Sequence, residues 1–172
     1  MTALVLVGLM GAGKSLVGSL VARRSGWELV DVDVAITART GASVREIWEA
    51  GGEAAYRHVE SEEVLHALRS ERPVVIAAPG GVVLDPSVRA ALGDALVVWL
   101  RAGAATLAGR VRPGDHRPLL GDRPFEVLAT LATERAHLYE EVADAVIDTD
   151  DLDAETVADM VLYMLKDLPT RT

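Results

Sequence analysis

The segment Gly8-Leu9-Met10-Gly11-Ala12-Gly13-Lys14-Ser15 matches a complete Walker A pattern and constrains the fold more than any other feature. The apolar run 3–7 before it predicts a buried parallel strand, and residues 16–24 after it predict a helix. In such a strand–loop–helix unit, backbone N–H groups surround phosphate oxygens, the lysine reaches the β- and γ-phosphates, and the serine ligates magnesium. The sequence therefore predicts a nucleoside triphosphate site that contains Gly11, Ala12, Gly13, Lys14, Ser15 and Leu16.

Lys14 is one of only two lysines in the chain, the other being Lys166, against fifteen arginines. A lysine ammonium is a compact point charge, whereas a guanidinium is a planar fork. Although most basic residues of this chain are arginines, a lysine stands in the Walker loop, where a compact cation is needed. We expect Lys14 to take part in catalysis.

Length and composition narrow the class of protein. The 172 residues, half of them hydrophobic, suit a single domain, which we expect to cover 1–172. The net charge of −9 argues against a nucleic-acid partner. The sequence has no apolar run of membrane-spanning length and no basic leader, so we expect a cytoplasmic protein without membrane contact. We also expect a monomer.

Missing residue types exclude further classes. Without cysteine, the chain has no disulfide and no thiolate metal site. Without asparagine and glutamine, it has no Asn-Lys-x-Asp guanine reader and no Ras-like glutamine that orients water. A Ras-like GTPase site that depends on these residues is therefore excluded.

Predicted strands alternate with predicted helices, which indicates an α/β fold whose parallel sheet has helices on both faces. The strands are expected at 3–7, 27–30, 73–77, 95–100 and 145–148. The helices are expected at 16–24, 43–50, 53–68, 86–92, 104–111, 125–142 and 153–165. The Gly51-Gly52 pair separates the second helix from the third. In an open α/β sheet, ligands bind beyond the carboxyl ends of the strands, so the segments that follow the strands are candidates for the site.

Asp31 and Asp33 follow the second predicted strand. On an extended chain, residues two apart face the same side. Phosphoryl transfer needs magnesium near the phosphates and a carboxylate that orients the attacking hydroxyl, so two carboxylates beside the Walker loop could divide these tasks. The alternative is a solvated strand-to-helix turn in which Asp33 is the N-cap.

Arg57 and Glu60 lie three residues apart on a predicted helix and share a face. They form either a surface ion pair of little energetic value or a unit in which Glu60 holds Arg57 ready to bind a carboxylate. Trp48 and Tyr56 are two of only seven aromatic residues, and they belong either to the core or to the wall of an acceptor site.

Arginines are concentrated near the loop that contains Pro113-Gly114. Arg110, Arg112 and Arg117 lie in or beside it. Such a loop is a candidate lid that closes over the triphosphate and brings an arginine to the transferring group. The alternative is a solvated basic loop. Arg135 lies on the following helix, and the alternative to a functional role for it is an ordinary, partly exposed helix arginine.

Together these residues resemble the shikimate kinase family over nearly the whole chain. The lid motif Arg-Pro-Leu-Leu and the helix motif Arg-x-x-Leu-Tyr are more discriminating than the Walker loop, which many families share. The matching segments are 8–15, 31–33, 56–60, the glycine turn near residue 80, 117–120 and 135–139.

The resemblance implies a nucleoside-monophosphate-kinase-like three-layer sandwich. Its five-stranded parallel sheet would have the order 2-3-1-4-5, with helices on both faces, a substrate-binding segment at about 33–61 and a short lid at about 112–123. The reaction implied is transfer of the ATP γ-phosphate to the 3-hydroxyl of shikimate, a step of aromatic amino-acid biosynthesis that requires Mg2+. ATP and shikimate would be the only partners.

The resemblance also implies roles for acceptor-side residues. Asp33 would hold the acceptor hydroxyls and act as the candidate base. Arg57 and Arg135 would clamp the substrate carboxylate. The backbone of Gly80 and Gly81 would contact the substrate ring.

On the phosphate side, the resemblance implies that Lys14 and Arg117 act on the transferring phosphoryl group, with Arg117 on the lid. Arg110 matches the position that packs on adenine. Ser15 would ligate magnesium, and Asp31 would lie near the metal and contact it through water. Positioning and charge neutralisation are sufficient for this chemistry.

Two positions depart from the family pattern. Pro79 stands where the first of three glycines is usual, and proline lacks an N–H and fixes its own φ. Tyr56 stands where phenylalanine is more usual, and its hydroxyl needs a polar partner if buried. Two other functions therefore remain open: a kinase of the same fold that acts on another cyclic polyol or a gluconate-like sugar acid, and a non-catalytic nucleotide-binding regulatory module.

Overall fold

The computed structural model describes residues 2–111, 120–121 and 123–166, and its centre is a five-stranded sheet. The strands are β1 (Ala3–Val7), β2 (Glu28–Asp31), β3 (Val74–Ala77), β4 (Leu96–Arg101) and β5 (Ala145–Asp148). All four strand pairs are parallel, and the spatial order is β2-β3-β1-β4-β5. The predicted fold class and strand order are confirmed.

The three central strands form the core. Every residue of β1 and β3 is buried, as are the first five residues of β4. Successive strand residues point to opposite faces, so complete burial means that both faces of the sheet are covered. The helices that cover them are α1 (Lys14–Ser25), α2 (Val32–Thr40), α3 (Val44–Leu68), α4 (Pro86–Leu92), α5 (Ala104–Arg110), α6 (Pro124–Val142) and α7 (Ala154–Lys166).

The segment after β2 corrects the sequence prediction. Helix α2 begins at Val32, so the chain is not extended through Asp33. The N-cap is Asp31, whose carboxylate accepts from the N–H of Val34, and not Asp33. Val32 and Ile36 are fully buried, four residues apart on one face of the helix. Their β-branched side chains concealed the helix, because such residues favour strands.

Helix α3 contains the two helices predicted on either side of the glycine pair. The predicted break is present as non-helical backbone at Gly52, with φ 72° and ψ −171°. The predicted capping box at the start of α3 is also present: Ser43 accepts from the N–H of Glu46, and the Glu46 carboxylate accepts from the N–H of Ser43.

The remaining predicted elements agree to within one or two residues, and the sequence did not predict the short 3-10 helix Val82–Leu84. Most of the predicted lid, including Arg112 and Arg117, lies outside the described residues. Among the helices that the structure describes, none is long and apolar enough to cross a membrane.

The carboxyl ends of the strands converge on one edge of the sheet. The Walker loop follows β1, Asp31 ends β2, and Ala78-Pro79-Gly80-Gly81 follows β3. The register aligns Val5 with Ile76, and Val30 with the same Ile76, so these three strands end side by side. The fold thus brings together segments far apart in sequence, as expected for a ligand site in an open parallel sheet.

Candidate active site

A cavity of about 800 Å³ opens at this edge of the sheet. One wall is the Walker loop and the start of α1. The opposite wall comes from α2, α3, the turn after β3 and α6. Of the predicted site residues within the described part of the chain, all but Ala12 line this cavity: Gly11, Gly13, Lys14, Ser15, Leu16, Asp31, Asp33, Arg57, Gly80, Gly81, Arg110 and Arg135.

The Walker loop places a cation at the cavity wall. Gly13 is the N-cap of α1, and Lys14 is the first helical residue. The Lys14 ammonium donates hydrogen bonds to the carbonyls of Gly8 (2.9 Å) and Leu9 (3.0 Å), so it bends back over the loop. The N–H of Ala12 also turns into the loop, where it donates to the Leu9 carbonyl at 3.2 Å. The positive end of the α1 dipole and the Lys14 charge therefore act on the same space.

Two carboxylates line the same cavity from the end of β2 and the start of α2. Asp31 caps α2, and Asp33 lies in the first turn of the same helix. The hydroxyl of Tyr56 on α3 donates to Asp33 Oδ1 at 3.0 Å. Both aspartates line the cavity, Asp31 from the end of β2 and Asp33 from the first turn of α2.

Arg57 belongs to a buried ion pair. Its Nη1 donates to Glu60 Oε2 at 2.7 Å, and Nη2 donates to Glu53 Oε1 at 3.2 Å. The Glu60 side chain is 3% exposed, so this is not a surface pair. Burial raises the pKa of Glu60 against the opposing charge of Arg57. Burial lowers the pKa of Arg57, but the charges and hydrogen bonds of Glu60 and Glu53 outweigh it and raise that pKa overall. Glu60 thus holds a permanent cation in the cavity wall.

Because Gly81 has no side chain, the Arg57 guanidinium has room to lie against its backbone. A Cβ at residue 81 would overlap Nη1 and Cζ of Arg57. The absence of a side chain there allows the guanidinium to pack directly on the backbone after β3, which brings α3 into contact with the glycine turn.

We expect Gly81→Ala to displace the Arg57 guanidinium from Glu60 and to raise the KM for the acceptor about 10-fold or more, since a charged hydrogen bond is lost. The KM for the nucleotide should change much less. Steady-state kinetics with each substrate varied in turn measures both values.

Gly109→Ala is the matched control for this substitution. A Cβ at residue 109 on α5 meets open space. It should leave both KM values unchanged. Equal effects of Gly81→Ala on the two KM values would contradict a role confined to the acceptor.

Arg135 is also buried, at 5% exposure, and is not a partly exposed helix arginine. Its Nη1 donates to the carbonyl of Gly80 at 3.0 Å, and the hydroxyl of Tyr139 donates to the same carbonyl at 2.6 Å. The Tyr139 ring stacks on Trp99, with 5.2 Å between ring centroids. Burial raises the pKa of Tyr139 to about 12, so the hydroxyl remains a donor. These contacts fix the orientation of the Gly80 peptide.

Pro79 is buried and lines the cavity without disturbing the turn. The N–H of Ala78 before it donates to Leu6 at 3.1 Å, which continues the sheet. The N–H of Val82 donates to the Pro79 carbonyl at 3.2 Å. The turn after β3 therefore closes with proline in place of glycine, and Gly80 and Gly81 stay at the cavity wall.

Arg110 lies at the far end of the cavity. Its Nη1 donates to Thr149 Oγ1 at 3.0 Å, and Nη2 donates to the Thr149 carbonyl at 2.5 Å. These two bonds hold the guanidinium plane in one orientation, as needed by a group that stacks on a flat ring.

Sequence reasoning missed the supporting roles of Tyr139 and Thr149. The spacing of Arg135 and Tyr139, four residues apart on a helix, was a signal that both face the same side. Thr149 offered no such signal, because its partner Arg110 lies 39 residues away.

Known proteins of one family are similar to this chain. The shikimate kinase family model matches residues 10–166. A shikimate kinase from Aliivibrio salmonicida is 40% identical over 164 residues, covering 94% of this chain and 95% of the relative. A shikimate kinase from Aromatoleum aromaticum is 46% identical over 146 residues, covering 84% and 83%.

Among solved structures, a shikimate kinase from Acinetobacter baumannii in complex with shikimate has a TM-score of 0.92 and 31% sequence identity. The match covers 98% of this chain and 96% of that one. The family model spans residues 10–166, which include residues from both walls of the cavity. This chain belongs to the shikimate kinase family.

Proposed function

We propose that the protein transfers the γ-phosphate of ATP to the 3-hydroxyl of shikimate. As a member of the shikimate kinase family, it is an ATP-dependent kinase whose acceptor is shikimate. The observation that carries the assignment is that the Walker loop lines the same cavity as Asp33, Arg57 and Arg135.

The charges of the acceptor wall suit a carboxylated polyol. Arg57 and Arg135 come from α3 and α6 and line the same cavity. A guanidinium presents five N–H donors in a rigid fork, which matches a carboxylate. Because Glu60 and the Gly80 carbonyl hold the two guanidinium groups, binding a carboxylate costs little side-chain entropy.

Asp33 serves the hydroxyl end of the acceptor. A carboxylate has two oxygens and accepts several hydrogen bonds, so it can hold a hydroxyl in line with the γ-phosphate. It also takes up the proton of the hydroxyl as the phosphoryl group transfers. The carboxylate clamp and Asp33 together select an acceptor with both a carboxylate and a ring hydroxyl.

The phosphate side stabilises negative charge. Backbone N–H groups of the Walker loop, the start of α1 and Lys14 receive the phosphates. Arg110 is the candidate for packing on adenine, and Arg117, which lies outside the described residues, stays a prediction for binding the phosphates. These groups neutralise charge that grows on the transferring oxygens.

Magnesium fits the oxygen donors of this site. The Ser15 hydroxyl and the Asp31 carboxylate line the same cavity. Within the described residues, no group of three or more histidine, aspartate or glutamate side chains is arranged to hold a metal. Mg2+ keeps several waters and binds substrate phosphates, so Ser15 directly and Asp31 through water are a sufficient protein contribution. The ion would neutralise phosphate charge.

An acceptor panel tests the proposal. We expect ADP release that depends on both shikimate and Mg2+, and that stops when EDTA is added. In a thermal-shift panel with ADP and Mg2+, shikimate should raise the Tm more than quinate, gluconate or a neutral cyclitol. Stabilisation by a neutral cyclitol but not by shikimate, or ATP binding without turnover of any acceptor, would contradict it.

A further inference from the structure

Tyr56 presents its hydroxyl to the carboxylate that receives the acceptor. The residue is 6% exposed, and its ring lies 5.9 Å from the ring of Trp48 on the same helix, centroid to centroid. Its hydroxyl donates to Asp33 Oδ1 at 3.0 Å. The bond joins α3, which carries Arg57, to α2, which carries Asp33.

We propose that Tyr56 is a positioning residue that acts through Asp33: its hydrogen bond orients the carboxylate toward the acceptor hydroxyl. This inference rests on the proposed function, because it assumes that Asp33 meets the acceptor. Tyr56 itself need not touch the reacting atoms.

The rigidity of the donor makes this role physically reasonable. An aspartate carboxylate turns easily about its last torsion, whereas a buried tyrosine ring has only two torsions and is held by its neighbours. A hydrogen bond to a charged acceptor is among the stronger ones in proteins. One bond from a fixed phenol therefore selects one orientation of Asp33.

Electrostatics keeps Tyr56 as the donor. Burial, together with the negative charges of Glu60 and Asp33, raises the pKa of its hydroxyl, so it retains its proton at neutral pH. The protonated hydroxyl donates, and two carboxylates lie within its reach: Asp33, which accepts at 3.0 Å, and Glu60. The ion pair of Arg57 with Glu60 begins at the next residue along α3, and the Arg57 Cζ lies 5.8 Å from the centroid of the Tyr56 ring.

Both ends of the acceptor site are thus held on one rigid unit. Arg57 binds the acceptor carboxylate, and Asp33 binds the acceptor hydroxyl. Tyr56 precedes Arg57 on α3 and bonds Asp33 on α2. In Tyr56→Phe, Asp33 keeps its own carboxylate and loses only one orienting hydrogen bond. We therefore expect a graded loss of rate and not an inactive enzyme.

The first experiment is Tyr56→Phe, which removes only the hydroxyl. We expect kcat for shikimate-dependent ADP release to fall about 3- to 10-fold, while the KM for ATP changes less than about 2-fold. Tyr163→Phe is the matched control, because Tyr163 is 67% exposed on α7, away from the cavity, and should leave kcat unchanged. If Tyr56 were purely structural, Tyr56→Phe would lower the Tm but would not lower kcat while leaving the KM for ATP unchanged.

A double-mutant cycle tests whether the effect passes through Asp33. In an Asp33→Ala background, adding Tyr56→Phe should change neither the residual turnover nor the shikimate Kd, read from intrinsic tryptophan fluorescence, by more than about 2-fold. An unchanged kcat in Tyr56→Phe, or an equal loss in both backgrounds, would overturn the inference. If the wild-type protein fails to phosphorylate shikimate, the proposed function falls, and this inference with it.

Discussion

Lys14→Ala is expected to lower kcat for shikimate-dependent ADP release by at least about 100-fold, the usual effect of removing one preorganised charge-stabilising group. The Lys14 ammonium lies on the cavity wall at the start of α1, where it donates to the carbonyls of Gly8 and Leu9. Alanine leaves the helix dipole and loop N–H groups in place but removes the only lysine of the cavity.

The fold should survive this change, because the Lys14 side chain belongs to a loop wall and not to the buried core. Near-wild-type thermal unfolding together with lost turnover is the expected pair of results. Lys166→Ala, which removes the chain's other lysine at the end of α7, is the matched control and should retain full activity. A wild-type kcat in Lys14→Ala would contradict the assignment of residues 8–15 as a phosphate-binding Walker loop.

Arg57→Ala is expected to raise the KM for shikimate about 100-fold, since two charged hydrogen bonds to the carboxylate are lost, while the KM for ATP stays within about 3-fold. It should also destabilise the fold by about 3 kcal/mol, because Glu60 would remain buried without its cation. Steady-state kinetics and denaturant unfolding measure the two effects separately.

The stability loss in Arg57→Ala should depend on pH with a defined sign. Burial already raises the pKa of Glu60 with Arg57 present, and removing the cation raises it further. A carboxyl with a raised folded pKa loses stability as pH rises through that pKa, so the deficit should be larger at pH 7 than at pH 5.

Two variants separate charge from packing. Arg57→Ala combined with Glu60→Gln should recover part of the lost stability without restoring the shikimate KM. Arg45→Ala, in an exposed pair with Glu49 on the same helix, should change neither property measurably. Equal increases in the KM for ATP and for shikimate would mean that Arg57 is structural or serves phosphate.

Much of the fold could be predicted because its signals are local. Continuous apolar runs such as residues 3–7 predict buried parallel strands, and Asp85-Pro86 predicts a helix start. Gly51-Gly52 correctly predicted the break in α3. Helix α2 was not predicted, because its valines and threonines favour a strand. The segment is helical because this conformation buries one of its faces against α3.

The sequence predicted which residues form the site, but not which of them contact one another or are buried. The sequence identified Asp33, Arg57 and Arg135 as candidates. For each of them, a purely structural role remained open. Burial removed two of these alternatives, because the Arg57–Glu60 pair and Arg135 are both withdrawn from solvent. Exposure of a helix residue depends on what packs over it, and no local pattern reports this.

By itself, the sequence determined the Walker loop, the order of strands and helices, and the residue types available for phosphate and carboxylate binding. These follow from periodicity and from spacing along one segment. Only the tertiary structure decided that Tyr56 bonds Asp33, that Arg57 packs on Gly81, and that Pro79 fits the turn. Each of these contacts joins elements far apart in sequence, so it exists only once the parallel sheet has brought the carboxyl ends of its strands together.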